Sequence, residues 1–370
     1  MLVQPSAAAW VKAIRAPRIP GSSRARSGVE DGGLRVDRPF APAVTVPAVD
    51  IRRVGTSGLR VSALGLGTMT WGRETDDDAA AEQLRAFVDA GGTLVDTAAG
   101  YADGDSERLL GRLLADEGLA GEVVVATKSG VTRRAGARVV DVGRRALLGD
   151  LDASLDRLGR DHVDLWQVQA WSADVPLAET LSACEAALAS GRTRYVGVSN
   201  HSSWQTALAV AGLRESRFGA VPVSDQVEYS LLARGVEAEL VPAAGYLGVG
   251  LLAWSPLGRG VLTGKYRTGV PADSRAASPV WSGFVDRYTD RRSRRVVEAV
   301  STAADGLGVE PLQVALAWVR DRPGVASAIS GARTAAHWRS VLGAAAVRLP
   351  AEIVTALDDV SMPASWLPAS

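Results

Sequence analysis

The sequence predicts an α/β protein in which eight strand–helix units close into a single (β/α)8 barrel. Apolar, strand-like runs alternate with helical segments, and most runs start about 26–40 residues apart, the length of one strand–helix unit. Eight alternating units favour a closed barrel over an open sheet. The predicted strands end near Gly67, Asp96, Lys128, Gln169, Asn200, Glu228, Trp254 and Ser330.

Residues 1–49 differ from the rest of the chain. They are rich in Pro, Ala, Arg and Gly, lack periodicity, and carry seven basic against three acidic residues. They also lack the features of a secretory signal. We therefore expect a disordered extension over 1–49, or a start annotated too early, followed by the barrel over 50–370. A targeting or docking arm is the alternative.

Elements within the barrel are marked by local signals. Residues 52–61 predict a β-hairpin that turns at Thr56–Gly58. A helix is predicted over 76–90, where three aspartates precede apolar residues at helical spacing and Gly91 follows. Leucines at helical spacing predict a second helix that ends before Gly159, and Pro176 opens a third.

The composition of the chain indicates which kinds of binding partner and which cellular compartment to expect. The formal net charge is zero, so the sequence does not indicate binding to nucleic acid or to an acidic membrane. No apolar run reaches transmembrane length. The single cysteine, Cys184, sits at helical spacing with leucines and is interpreted as core packing; one cysteine also fits a reducing compartment. We expect a cytoplasmic protein with a small-molecule substrate, no metal site and an undetermined oligomeric state.

A rare lysine marks the predicted site. Of 41 basic residues only three are lysines, and Lys128 ends an apolar run that would place it at the barrel rim. Asp96 ends the preceding strand, and Tyr101 follows five residues later. A phenol with a pKa near 10 keeps its proton at neutral pH, and a nearby ammonium stabilises the phenolate and lowers that pKa. This trio suits proton donation to a carbonyl that receives hydride from a cofactor.

Phosphate-binding candidates lie late in the chain. The glycine-rich fingerprint of dinucleotide-binding folds is incomplete in this chain. Gly65 and Gly67 follow a strand, but the third glycine and the following helix do not fit the pattern. Residues 254–266 follow the seventh strand and offer three glycines with Arg259 and Lys265, and residues 330–334 follow the eighth. Loops after these two strands commonly bind phosphate in such barrels.

Six ordered motifs between residues 51 and 345 resemble the aldo-keto reductases, a nicotinamide-dependent barrel family. The motifs are Gly-Leu-Gly-Thr-Met at 65–69, Asp-Thr-Ala-x-x-Tyr at 96–101, Ala-Thr-Lys at 126–128, Gly-Val-Ser-Asn at 197–200, Gln-Val-Glu-Tyr-Ser at 226–230 and Ser-Pro-Leu-Gly-Arg-Gly at 255–260. The resemblance implies that Tyr101 is the proton donor, that Lys128 tunes it and that Asp96 partners Lys128. It also implies that the N-terminal hairpin at 52–61 plugs the bottom of the barrel.

The same resemblance implies a set of cofactor contacts. Ser199, Asn200 and Gln226 would hold the nicotinamide carboxamide, and Trp254 would stack on its ring. Residues 255–265 would wrap the pyrophosphate, and Arg333 would face a 2′-phosphate, which favours NADPH over NADH. His337 could assist Arg333, although a helix-surface role is the alternative for His337. The full predicted set is Gly67, Thr68, Met69, Asp96, Ser199, Asn200, Gln226, Trp254, Ser255, Pro256, Leu257, Gly258, Arg259, Gly260, Lys265, Gly331, Arg333 and His337.

Gln169 departs from the family pattern. The family normally has histidine at the end of the fourth strand, and an amide can donate a hydrogen bond to the substrate carbonyl but cannot protonate. In the family, glutamate here accompanies carbon–carbon double-bond reduction, and asparagine accompanies slow turnover in regulatory members. His201 could compensate, although a loop or pocket-wall role is the alternative. His162, just before the fourth strand, is interpreted as structural.

Two functions remain open from the sequence. The first is an NADPH-dependent carbonyl reductase that uses Asp96, Tyr101, Lys128 and Gln169. The alternative is an NADPH-binding regulatory or interaction protein with little or no turnover, because of Gln169. Four aromatic residues could border the substrate pocket: Trp71, Trp171, Trp281 and Phe284. They would favour apolar or aromatic carbonyl substrates, although packing in the core or on the surface accounts for each of them equally well.

Overall fold

A computed structural model describes residues 48–134, 137–216, 219–267 and 282–363, together with the isolated positions 269, 271 and 277. The predicted extension over 1–49 therefore lies almost wholly outside the described residues. So do Trp281 and the side chain of Phe284.

Twelve strands occur in the described part of the chain. In chain order they are β1 (Ile51–Arg53), β2 (Arg60–Ser62), β3 (Leu64–Gly67), β4 (Leu94–Asp96), β5 (Val124–Ser129), β6 (Val131–Arg134), β7 (Ala137–Val140), β8 (Val163–Val168), β9 (Thr193–Ser199), β10 (Ser224–Glu228), β11 (Gly250–Trp254) and β12 (Val325–Ser330). Eight of them form a closed parallel barrel in the order β3-β4-β5-β8-β9-β10-β11-β12, with β12 paired back to β3. The predicted (β/α)8 barrel is thus confirmed.

Eleven α-helices surround the barrel within the same ranges. They are α1 (Asp77–Asp89), α2 (Asp105–Asp116), α3 (Arg144–Leu158), α4 (Leu177–Ala189), α5 (Ser203–Arg214), α6 (Leu240–Leu247), α7 (Ser282–Asp286), α8 (Arg291–Leu307), α9 (Pro311–Arg320), α10 (Ala335–Gly343) and α11 (Ala351–Ser361). Asp76 caps α1 by accepting a hydrogen bond from the Ala79 backbone N–H, and Gly159 ends α3 in the left-handed conformation. These are the boundaries that the sequence signals predict.

The β1–β2 hairpin closes the N-terminal end of the barrel. Val54, Leu59 and Val61 are buried in one cluster with barrel residues such as Leu94 and Leu252. The turn sits tightly against the chain before β11: a Cβ on Gly55 would lie 2.2 Å from the Gly248 carbonyl oxygen. The fit leaves only the opposite end of the barrel open.

Three features extend or refine the sequence interpretation. Cys184 is buried in α4, and burial raises the pKa of its thiol to about 12, so it packs as an apolar residue. No single described helix is both long and apolar enough to cross a membrane; one bent pair, Ala335–Ala346 with Ala351–Ser361, passes by length and composition only when taken together. The third feature, the antiparallel β6–β7 hairpin after β5, was not predicted.

Candidate active site

A cavity of about 830 Å³ opens at the C-terminal ends of the barrel strands. Such barrels place their chemistry at this face. Nineteen of the predicted site residues line it: Gly67, Met69, Asp96, Tyr101, Lys128, Gln169, Ser199, Asn200, Gln226, Trp254, Ser255, Pro256, Leu257, Arg259, Gly260, Lys265, Gly331, Arg333 and His337. The barrel thus brings together residues that are up to 270 positions apart in the chain, from Gly67 to His337.

Two predicted cofactor residues do not line this cavity. Thr68 is fully buried, and its hydroxyl contacts the Ser106 hydroxyl at 2.7 Å and the Asp96 carbonyl oxygen at 3.2 Å. Thr68 therefore joins β4 to α2 behind the cavity wall. Gly258 is also buried, and a Cβ there would lie 2.7 Å from a Leu232 methyl group.

A buried ion pair lies at the base of the cavity. The Lys128 ammonium donates to both carboxylate oxygens of Asp96, at 2.8 and 2.7 Å, and to the Thr97 carbonyl oxygen at 2.8 Å. Lys128 is 1% exposed and Asp96 is 2% exposed. Burial lowers the pKa of Lys128, but attraction to Asp96 and Tyr101 outweighs burial, so the net shift is upward. The amine therefore stays protonated at neutral pH.

Tyr101 lies directly above this pair. The Lys128 nitrogen is 5.0 Å from the centroid of the Tyr101 ring. Burial raises the pKa of the Tyr101 phenol, and Asp96 raises it further, whereas Lys128 lowers it; the net shift is upward. The cation thus lowers the pKa of Tyr101 as the sequence predicts, but desolvation of the phenolate is the larger effect. The phenol holds its proton firmly at neutral pH.

A network of amide and hydroxyl groups continues from the ion pair along the barrel rim. The Gln226 side-chain amide donates to Asp96 at 2.7 Å. Ser199 donates to the Gln226 carbonyl oxygen at 2.8 Å, and Asn200 donates to the Ser199 hydroxyl at 3.0 Å. The Trp254 indole N–H donates to the Asn200 side-chain oxygen at 3.0 Å. Three successive strands, β9 to β11, are therefore joined at one wall of the cavity.

Gln169 follows β8 and is held by its backbone. Its N–H donates to the Ser129 carbonyl oxygen at 2.9 Å, and its own carbonyl oxygen accepts from the Asn200 amide at 3.0 Å. The side-chain oxygen is buried and has no hydrogen-bond donor among the described residues. A buried polar atom without a partner is costly, so this amide is suited to contact a molecule bound in the cavity.

His201 does not line the cavity. It is 5% exposed, its ring packs against Trp171 at 5.6 Å between centroids, and its Nδ1 lies 3.0 Å from the Ser199 carbonyl oxygen. Burial lowers the pKa of its imidazole. Trp171 does not line the cavity either, and Trp71 is fully buried with its indole against Gln83. Neither described tryptophan supports an aromatic substrate pocket.

The loops after β11 and β12 form the other end of the cavity. Ser255, Arg259 and Gly260 have positive φ angles of 50°, 61° and 92°, which turn this loop sharply. Thr334 caps α10 by accepting from the backbone N–H of His337 at 3.2 Å. Lys265, Arg333 and His337 line this end, next to the N-terminus of α10. Basic side chains near a helix N-terminus suit the binding of a phosphate group.

Arg259 lines the cavity and also binds an acidic side chain. Its guanidinium makes two hydrogen bonds to the Glu228 carboxylate, at 2.8 and 2.9 Å. Tyr288 donates to the same carboxylate at 2.9 Å. Arg259 therefore ties the loop after β11 to the end of β10, and its predicted contact with the pyrophosphate stays a prediction.

Sequence reasoning missed part of the cavity lining. The β6–β7 hairpin contributes Val131, Thr132, Arg133 and Arg138, and Arg73 lines the cavity from the loop after β3. The only available signal was the short arginine-rich stretch at 133–138, which carries no apolar periodicity. No group of three potential metal-ligating side chains occurs among the residues in the described ranges.

Comparison with known proteins agrees with this geometry. The sequence model of the aldo/keto reductase family matches residues 63–362. A rice (Oryza sativa subsp. japonica) protein named "probable voltage-gated potassium channel subunit beta" is 36% identical over 286 residues, which cover 76% of this chain and 86% of the relative. An Arabidopsis thaliana protein with the same name is 34% identical over 286 residues, which cover 76% of this chain and 86% of the relative. The Bacillus subtilis (strain 168) "uncharacterized oxidoreductase YrpG" is 33% identical over 321 residues, 83% of this chain and 94% of the relative. The chain therefore belongs to the aldo/keto reductase family, which places it among the oxidoreductases.

Proposed function

We propose that this protein is an NADPH-dependent carbonyl reductase. The observation that carries the proposal is the buried Asp96–Lys128 pair beneath the Tyr101 phenol. Burying two charges costs several kcal/mol per ion before their attraction is counted, so a merely structural role is a poor explanation for the pair. At the rim of the barrel, the pair places a fixed cation next to the Tyr101 phenol. This cation stabilises the phenolate that remains when the phenol gives up its proton.

The two ends of the cavity suit the two ends of a nicotinamide dinucleotide. One end is lined by neutral amides and a tryptophan, which suit the nicotinamide, and the other by Lys265, Arg333 and His337, which suit the phosphates. Ser199, Asn200 and Gln226 would hold the carboxamide, and Lys265, Arg333 and His337 the phosphates. The basic groups favour NADPH over NADH.

A bound NADPH would supply the hydride. The protein residues then account for the proton: the Tyr101 hydroxyl donates it to the carbonyl oxygen as negative charge develops there. Lys128 stabilises the phenolate that remains, and Asp96 keeps the ammonium in place. Gln169 donates a side-chain hydrogen bond to the same oxygen. Each of these groups lines the one cavity.

A second candidate is a regulatory protein that binds NADPH with little or no turnover. Gln169 motivates it, because a neutral amide replaces the ionisable side chain usual in the family at that position. The names of the rice and Arabidopsis relatives, which refer to a probable channel subunit, point the same way. The reductase is favoured because Asp96, Tyr101 and Lys128 are all in place.

The test is NADPH oxidation by purified protein with aldehydes, ketones and quinones, with the variant Tyr101→Phe alongside. We expect carbonyl-dependent oxidation that falls by about 10²–10⁴-fold in the variant, the usual contribution of a positioned acid. NADPH binding, followed by fluorescence, should change little. Tight NADPH binding without turnover on any substrate would favour the regulatory function, and equal rates in both proteins would rule out Tyr101 as the donor.

A further inference from the structure

The backbone that follows Tyr101 turns through a left-handed conformation. Ala102 and Asp103 have φ angles of 47° and 54°, and Gly104, which comes directly before α2, has a φ angle of 94°. Residues with a Cβ atom rarely adopt this conformation, because the Cβ atom crowds the neighbouring carbonyl oxygen. Such strain persists only where the surrounding structure holds it, and it is typical of active sites. The position of the Tyr101 phenol therefore depends on what holds this turn.

The turn cannot hold itself through its own side chains. Within the described ranges, three other residues besides glycines have positive φ angles, and all three line the cavity: Asn200, Ser255 and Arg259. Asn200 and Arg259 are fixed by hydrogen bonds of their own side chains. The methyl group of Ala102 can make no such bond, and the Asp103 side chain is exposed to solvent. Another element has to hold this turn.

A buried ion pair behind the barrel wall contacts the turn. Glu107, in the first turn of α2, is fully buried and accepts from Arg157 Nε at 2.7 Å. Its other carboxylate oxygen accepts from the Thr127 hydroxyl at 2.5 Å. The side chain of Arg157, which belongs to α3, packs directly on the turn, since a Cβ on Gly104 would lie 2.6 Å from the Arg157 Cδ. The Glu107–Arg157 pair therefore supports the end of the strained segment.

The same pair reaches the strand that carries the active-site cation. Thr127 and Lys128 are neighbours in β5, so their side chains point to opposite faces of the barrel wall. The Lys128 ammonium binds Asp96 on the inside, and the Thr127 hydroxyl binds Glu107 on the outside. One carboxylate thus joins the strand of the cation to the arginine that packs on the turn after the phenol.

We propose that Glu107 and Arg157 are positioning residues that hold the Tyr101 phenol over Lys128. The inference rests on the proposed reductase function. Neither residue of the pair lines the cavity, so both act through the turn and through β5 rather than on a bound molecule. Stability is a weak explanation for the pair, because a buried ion pair is often no more stabilising than apolar side chains of the same volume.

The test is Arg157→Met, which removes the charge and keeps an unbranched side chain. With 4-nitrobenzaldehyde as substrate, we expect kcat to fall by about tenfold while KM and the NADPH Kd stay within about twofold, because the phenol is displaced and the cavity is intact. One hydrogen bond joins Arg157 to Glu107. Arg157→Lys can replace it and should restore kcat to within about threefold of the original. An unchanged kcat in folded Arg157→Met, or no recovery in Arg157→Lys, would overturn the proposal.

Arg192→Met is the matched control. Arg192 also pairs with an acidic side chain of α3, that of Asp152, and it does not line the cavity. Because this pair is partly exposed, its loss should leave kcat within about twofold of the original. A tenfold fall in the control would show that loosening α3 is sufficient, and it would overturn the positioning role of Arg157.

Hydrogen exchange tests the positioning role without turnover. The Tyr101 N–H donates to the Ala98 carbonyl oxygen at 3.0 Å, so its exchange reports opening of this segment. We expect peptides that span residues 98–107 to exchange at least about tenfold faster in Arg157→Met, with peptides of β9 and β10 unchanged. Exchange that rises equally throughout the chain, or nowhere, would overturn the proposal whether or not the protein reduces carbonyls. Faster exchange confined to 98–107 in a protein without turnover would support the structural role of the pair and count against the reductase function.

Discussion

Two buried carboxylates, on strands β4 and β10 at opposite sides of the barrel, behave differently. Asp96, 2% exposed, faces the cavity and accepts hydrogen bonds from the Lys128 ammonium and from the Gln226 amide at 2.7 Å. Asp225, fully buried, faces α5; one of its oxygens accepts from the Thr206 hydroxyl at 2.8 Å, and the other has no hydrogen-bond partner among the described residues. Only Asp96 has a cation.

The difference shows what a buried charge requires. Gln226 and Asp225 are neighbours in β10, so their side chains point to opposite faces of the wall. Burial raises the pKa of Asp225 to about 7, because neutral donors compensate only part of the lost hydration. On the cavity side the ammonium keeps the site ionised. The barrel thus has a permanent ion pair inside and a carboxylate that titrates near neutral pH outside.

The largest expected effect comes from removing the cation. Lys128→Met should lower carbonyl reduction by about 10³-fold, because the phenolate of Tyr101 loses its stabilising charge. It should also lower the free energy of unfolding by about 3–5 kcal/mol, since Asp96 is left buried and uncompensated. Steady-state kinetics and chemical denaturation measure the two effects.

Lys128→Met/Asp96→Asn is the control for this prediction. With both charges removed, stability should recover in part while the rate stays low. A double variant as unstable as Lys128→Met would show that the ion pair does not cause the loss.

The next effect concerns the carboxylate without a cation. The folded-state pKa of Asp225 is about 7 and its unfolded value is 3.8. Between these values the folded state binds more protons than the unfolded state, so the Asp225 contribution to stability falls as pH rises from about 4 to about 7. The shift corresponds to at most about 4 kcal/mol.

Asp225→Asn should remove this pH dependence. The measurement is the difference in unfolding free energy between the two proteins at pH 5 and at pH 8, which cancels the opposite contribution of His201. A difference that does not change with pH would contradict the assignment.

A smaller effect is expected at Gln169. The variant Gln169→His should raise the rate with simple aldehydes by about tenfold, because an imidazolium is a stronger donor to the developing oxyanion than an amide. Steady-state kinetics on neutral aldehydes provide the measurement. Gln169→Asn is the matched control that changes size but not charge, and it should bring no gain. A correctly folded histidine variant with an unchanged rate would count against the weakened oxyanion site.

The smallest effect is expected in the pH profile of Tyr101. Because the net shift of its pKa is upward, the phenol stays protonated throughout the neutral range. The kcat for reduction should therefore vary by less than about twofold between pH 6 and pH 9 and fall only above about pH 10. A fall near pH 7 would show that another group, rather than this phenol, controls protonation.

Much of the barrel was predictable because its signals are local. Five of the eight predicted strand ends coincide with the observed ones, and the other three differ by one residue; the five are Gly67, Asp96, Glu228, Trp254 and Ser330. Periodicity and helix caps depend on residues a few positions apart, so the chain shows them directly. The β6–β7 hairpin was not predicted, because its arginines and small residues do not form a clear apolar face.

The site was predictable as a list of residues and less so as a set of roles. Motifs placed nineteen residues at one cavity, because parallel barrel strands deliver their C-terminal ends to one face. They did not show that Arg259 binds Glu228 or that Thr68 lies behind the wall. Those contacts join segments more than 30 positions apart.

By itself the sequence determined the barrel, its family and the cluster of Asp96, Tyr101 and Lys128, because strand period and motif spacing are properties of the chain. Only the tertiary structure decided the direction of the Tyr101 pKa shift, the unpaired state of Asp225 and the presence of the Glu107–Arg157 pair behind the turn that follows the proton donor. The physical reason is that desolvation and charge pairing depend on which residues surround a group in three dimensions, and distant strands supply those neighbours.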